Sequence, residues 1–89
     1  MKTAHLVIRN RLGLHARAAA RLVQTASRFR SEIYLEKGDT RVNGKSIMGV
    51  MMLAAGQGTE LTLITDGVDE ADALSAIREL VEEGFGEDS

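Results

Sequence analysis

Few side chains in this sequence can do chemistry near neutral pH. Cysteine and tryptophan are absent, and histidine occurs twice, as His5 and His15. His15 lies in "GLHARAAARLV", just past Gly13 and at the opening of an alanine-rich run with helical character. The first N–H groups of a helix lack intrahelical partners and carry partial positive charge, so a helix mouth receives anions. Arg17, two residues on, adds a fork of charge-assisted donors. An imidazole placed there is a nucleophile with anion-stabilising groups already beside it. A phosphoryl group is the natural cargo, because its transfer depends on positioning and charge stabilisation. These residues alone leave a second reading open, and it is the commoner one: a plain surface or capping histidine. His5, mid-strand and off the apolar face, is assigned no role.

Ser46 precedes the short apolar run "IMGVMML" and has the same helix-mouth character. Its default role is an N-cap, worth about 1 kcal/mol. Its functional reading is a regulatory phosphorylation site, where a phosphoryl group would add roughly −1.5 to −2 charge. That charge suits a helix start and repels an acidic partner. Met48, Met51 and Met52 crowd the same run, and so short and apolar a helix cannot turn every side chain inward. Exposed methionines suit a surface that docks several partners.

The surrounding elements follow from periodicity. Residues 2–9 alternate as a strand with Leu6 and Ile8 inward, and "NRLG" ends it. Residues 16–29 read as a helix, with Ala19, Leu22, Val23, Ala26 and Phe29 along one stripe and Arg17, Arg21, Gln24 and Arg28 opposite. Residues 32–43 read as a hairpin turning at "KGDT", with Ile33 and Leu35 inward. Ser46 opens the short helix, "ELTLITD" is a fourth strand, and a second long helix begins at Asp69 with Leu74, Ile77 and Val81 on one side. The order is βαββαβα: an α+β domain with one sheet face covered by helices and the other wet. The expectation is a single domain over 1–89, with a tail at 84–89 that frays.

Net charge is −2, but it is unevenly spread: residues 1–31 carry +7 and residues 66–89 carry −8. Either the basic third faces an acidic partner or anion, or the two ends complement each other. The same asymmetry raises a small nucleic-acid-binding domain as a further reading. Three aromatics, an acidic end and no basic recognition motif argue against it. Two histidines without cysteine make a structural zinc site improbable, and neither metal nor cofactor is expected. No apolar stretch approaches the roughly 20 residues of a membrane span, so no membrane insertion is expected and the cytoplasm is the expected setting.

The pieces together resemble the HPr family, the histidine-containing phosphocarriers of the phosphoenolpyruvate-dependent sugar phosphotransferase system. The resemblance rests on "GLHAR" at 13–17, "LVQTASRF" at 22–29, "VNGKSIMGVMML" at 42–53 and "DEADAL" at 69–74. It implies an open-faced β-sandwich, with a four-stranded antiparallel sheet carrying three helices on one face. It implies a stoichiometric carrier rather than an enzyme: His15 takes phosphoryl on Nδ1 from phosphorylated enzyme I and passes it to IIA domains of sugar permeases. Arg17 and the backbone N–H groups of Ala16, Arg17 and Ala18 would hold the phosphoryl. Ser46 would be the target of an HPr kinase/phosphorylase where one exists. Ala20, Arg21, Gln24, Ile47, Met48, Gly49 and Met51 would form the partner-facing patch of a monomeric protein. A regulatory or nitrogen-branch relative, acting through phosphorylation-controlled binding, is the alternative. One departure stands out: the family usually reads His-Ala-Arg-Pro, and this chain has Ala18. Losing that proline should loosen the helix start by about 0.4–1 kcal/mol and leave one more N–H free. His15 phosphorylation is expected to survive with altered phosphoryl affinity or lifetime.

Overall fold

A computed structural model describes residues 1–87. Alternation of apolar and polar residues builds four strands: β1 (Lys2–Val7), β2 (Glu32–Lys37), β3 (Thr40–Asn43) and β4 (Glu60–Asp66). They form one antiparallel sheet in the order β1-β4-β2-β3. Leu6 pairs with Leu61 and Leu35 with Leu63, so the apolar sets of neighbouring strands share a face. Ala4, Leu6, Ile33, Leu35, Val42, Leu61 and Leu63 are buried there. Three helices cover that face: α1 (Ala16–Ala26), α2 (Ile47–Met52) and α3 (Glu70–Glu82). The opposite face is open, apart from Ile64, which is shielded between the paired Thr3 and Tyr34.

The expected element order and architecture hold. Strand β4 and the hairpin have the expected bounds, whereas β1 ends at Val7, two residues early. Helix α1 also stops early, at Ala26 instead of residue 29. Beyond it, the N–H groups of Arg28 and Phe29 donate to the carbonyls of Thr25 and Ala26, bonds of i→i−3 type that close the helix. Phe29 still packs against the core as the stripe requires. Ala18, outside the expected stripe, is fully buried beside Ala19.

Asp69 is the N-cap of α3 and not its first residue, and its side chain makes no bond to its own helix. Its carboxylate instead accepts from the hydroxyl and N–H of Ser31 and from the N–H of Arg30, at 2.6–2.9 Å. Those hydrogen bonds, led by the Ser31 hydroxyl, hold its pKa down to about 2. The carboxylate thereby ties the start of α3 to the segment between α1 and β2.

The expectation of a frayed tail fails for Gly84–Glu87. Gly84–Gly86 form a 3-10 turn in which Gly84, Phe85 and Gly86 all have positive φ, a sequence of left-handed residues that two flanking glycines make cheap. The turn drives Phe85 into the core, where it is 1 % exposed. The glycines let the backbone aim the ring inward, and its burial offsets part of the entropy of ordering the four residues. Residues 88 and 89, also in that expectation, lie outside the described residues.

Candidate functional site

The loop from Asn10 to Leu14 delivers His15 to the mouth of α1. Gly13 has φ +66, and a Cβ there would lie 2.4 Å from the Ala55 carbonyl oxygen. Only glycine lets this loop lie against residues 55–56, where the Leu14 N–H donates to the Ala55 carbonyl at 2.9 Å. His15 is the N-cap residue, extended at φ −70 and ψ 176. Its carbonyl accepts the Ala19 N–H at 2.8 Å, but its side chain makes no capping bond. Serine or aspartate in that position would stabilise the helix by closing a bond onto it. Histidine leaves the first-turn N–H groups of Ala16, Arg17 and Ala18 without that partner.

His15 opens onto a basin of about 620 Å³, lined also by Leu12, Ala16, Arg17, Arg21, Gly86 and Glu87. The structure thus brings together His15, Ala16 and Arg17. Arg17 is exposed, whereas Ala18 is buried in the core and does not line the basin. Arg21, expected in the partner patch, is half-buried and donates from its guanidinium to the Phe85 carbonyl.

Sequence reasoning missed the far wall of the basin. The His15 imidazole Nε2 lies 2.6 Å from the Glu87 carboxylate, with the two side chains 29 % and 12 % exposed. The other Glu87 oxygen accepts from the Asn10 amide at 2.8 Å, and the same amide nitrogen donates to the Gly13 carbonyl at 2.8 Å. The Asn10 bond first, then the His15 bond, hold the Glu87 carboxyl below its ordinary pKa, with Arg21 adding to the effect. Asn10 is 1 % exposed, and its own carbonyl oxygen has no partner among the described residues. The one sequence signal for this wall was Phe85, a large apolar residue between two glycines in an otherwise acidic tail.

Ser46 does not line the basin. It caps α2, accepting the Gly49 N–H at 3.1 Å as expected. Beyond that cap, Ile47 and Met51 are 43 % exposed, and Met48 and Met52 more than 70 %. Helix α2 packs on α1, where Gln24 is exposed and Ala20 half-buried. His5 lies on the open sheet face, paired with Glu60 at 2.9 Å and away from the basin.

A family model described as the PTS HPr component phosphorylation site matches residues 2–83. The chain belongs to the HPr family. The phosphocarrier protein HPr of Neisseria meningitidis serogroup A is 59 % identical over 78 residues, covering 88 % of each chain. Among solved structures, an HPr from Thermoanaerobacter tengcongensis superposes with a TM-score of 0.96 at 48 % identity, covering all of both chains. Crh, a Bacillus subtilis catabolite-repression protein described as a domain-swapped dimer, is 48 % identical with a TM-score of 0.77, covering 93 % of this chain and 95 % of that one. A phosphocarrier of the phosphotransferase system is therefore the role in which this HPr-family site is to be understood. No helix among the described residues is long and apolar enough to cross a membrane.

Proposed function

We propose that this chain is a cytoplasmic, single-domain phosphoryl shuttle, accepting the group on His15 from phosphorylated enzyme I and delivering it to IIA domains of sugar permeases. One observation carries the reading: an N-cap histidine opens its ring into a basin beside Arg17, and that ring makes no capping bond to the helix it begins. Phosphoryl on Nδ1 would meet the N–H groups of Ala16, Arg17 and Ala18 and the Arg17 guanidinium. The patch of Ala20, Arg21, Gln24, Ile47, Met48, Gly49 and Met51 would receive donor and acceptors in turn, its apolar part supplying adaptable contact and its basic part fast, reversible docking. Incubation with enzyme I and phosphoenolpyruvate should add one acid-labile phosphoryl group, and His15→Ala should abolish it. A wild-type chain left unlabelled under conditions that label a control HPr would overturn the proposal.

A second reading is favoured by the exposed methionines around Ser46 and by the likeness to Crh. Phosphorylation of Ser46 by an HPr kinase/phosphorylase would set a dianion beside Ile47 and Met48, repelling acidic partners or recruiting basic ones. Partner binding that is indifferent to authentic Ser46 phosphorylation would remove this reading. The carrier is proposed to act as a monomer, and its mass in solution, compared with the dimeric Crh, checks that.

A further inference from the structure

We infer that Glu87 is a positioning residue for the phosphoryl acceptor: seated by Asn10, its carboxylate accepts a hydrogen bond from His15 Nε2–H, which keeps the ring proton on Nε2 and leaves Nδ1 as the lone-pair nitrogen. The inference rests on His15 being the acceptor and deepens that reading.

A carboxylate only accepts hydrogen bonds, so the 2.6 Å contact requires the proton on Nε2. In a neutral imidazole the remaining lone pair is then on Nδ1, the ring nitrogen nearer the backbone and so nearer the mouth of α1. The same contact fixes the ring's rotation. This is how carboxylate–histidine pairs orient an imidazole whose other nitrogen does the chemistry.

The geometry is hard to explain as a tether. Phe85 is already locked in the core, and the Arg21 guanidinium already holds its carbonyl. Neither needs a carboxylate that is drawn from water until it is 12 % exposed. Asn10 points the same way. Its amide donates both to the Gly13 carbonyl in the loop before His15 and to Glu87, while its buried oxygen goes unpartnered among the described residues. A residue that spends stability in this manner, bridging the acceptor loop to the carboxylate, serves the alignment of the site.

The step balances as follows. The Nδ1 lone pair forms the new N–P bond as the donor's N–P bond breaks, and that electron pair returns to the donor nitrogen. No proton leaves the ring, because the only one is on Nε2. The positive charge the ring acquires is held against the Glu87 carboxylate, and it is discharged when the group moves on.

The full-length, 15N-labelled chain tests this in wild-type, Glu87→Ala and Glu87→Gln forms, with His15→Ala as control. In the wild type, the proton spectrum should show a slowly exchanging, far-downfield Nε2–H coupled to the ring nitrogen. Glu87→Ala should lose that signal and accept phosphoryl from phosphorylated enzyme I roughly 10-fold more slowly, with its melting transition still cooperative. Glu87→Gln offers one carbonyl oxygen to two donors and should fall between them. Wild type that shows no such proton, or either variant accepting at the wild-type rate, overturns the inference. Faster acceptance by Glu87→Ala overturns it too, and makes the tail a cover. Absence of labelling in every form overturns the carrier reading instead, so the two failures are distinct.

Discussion

The two helix mouths of this molecule are built in opposite ways. At α2 the cap is local: the Ser46 hydroxyl accepts the Gly49 N–H three residues on, and Ser46's own N–H reaches the Asn43 carbonyl. At α1 the cap residue gives its side chain to the far end of the sequence, and the loop before it leans on residues 55–56. A helix start that only needs stability is closed by its neighbours. The other leaves its first N–H groups without a side-chain cap and obtains its order from distant parts of the chain.

Several substitutions would break or sharpen that contrast. Phe85→Ala should have the largest effect, lowering stability by about 3–5 kcal/mol. In the cold, folded variant the His15 ring signals should move while the Gly49 amide stays. Equal movement at both would erase the distinction. Gly13→Ala comes next, at roughly 2 kcal/mol for a side chain in left-handed backbone driven against Ala55. Denaturant unfolding gives the loss, and the same two signals show whether it is confined to the His15 mouth. Ser46→Ala should cost about 1 kcal/mol and leave the His15 ring signals in place.

Ala18→Pro should act in the opposite direction, raising stability by about 0.4–1 kcal/mol in thermal unfolding and changing the half-life of the phosphohistidine. No change in either would show that this helix start needs no stiffening. Acidification should have the smallest effect. The Glu87 carboxyl is depressed, so its contacts are fully present above the ordinary glutamate range and fade as pH falls through its lowered midpoint. Carbon-detected titration should place that midpoint below 4.5, and Asn10→Ala should raise it.

Much of this was legible in the residues. Strand β4, the hairpin and the Ser46 cap follow from alternation and from a hydroxyl before an apolar run, signals a few residues long. His15 and Arg17 share a helix turn, and their meeting needed no tertiary information. What escaped notice is non-local. Asp69 looks like an ordinary helix-start acid, yet it bonds residues 38 and 39 positions away. Glu87 looks like one more acid in an acidic tail. Nothing periodic distinguishes either from a solvated charge, because a partner seventy residues off leaves no mark on local spacing. The end of α1 was misplaced for a related reason: Phe29 keeps the helical period although the backbone has already turned.

The bonds from Asn10 and His15 to Glu87 span 77 and 72 residues. A chain leaving the ribosome therefore shows its histidine long before the residue that orients it has been added. The hairpin and α2, closed by short loops, can form while synthesis continues, whereas the alignment of His15 must await closure of a loop more than seventy residues long.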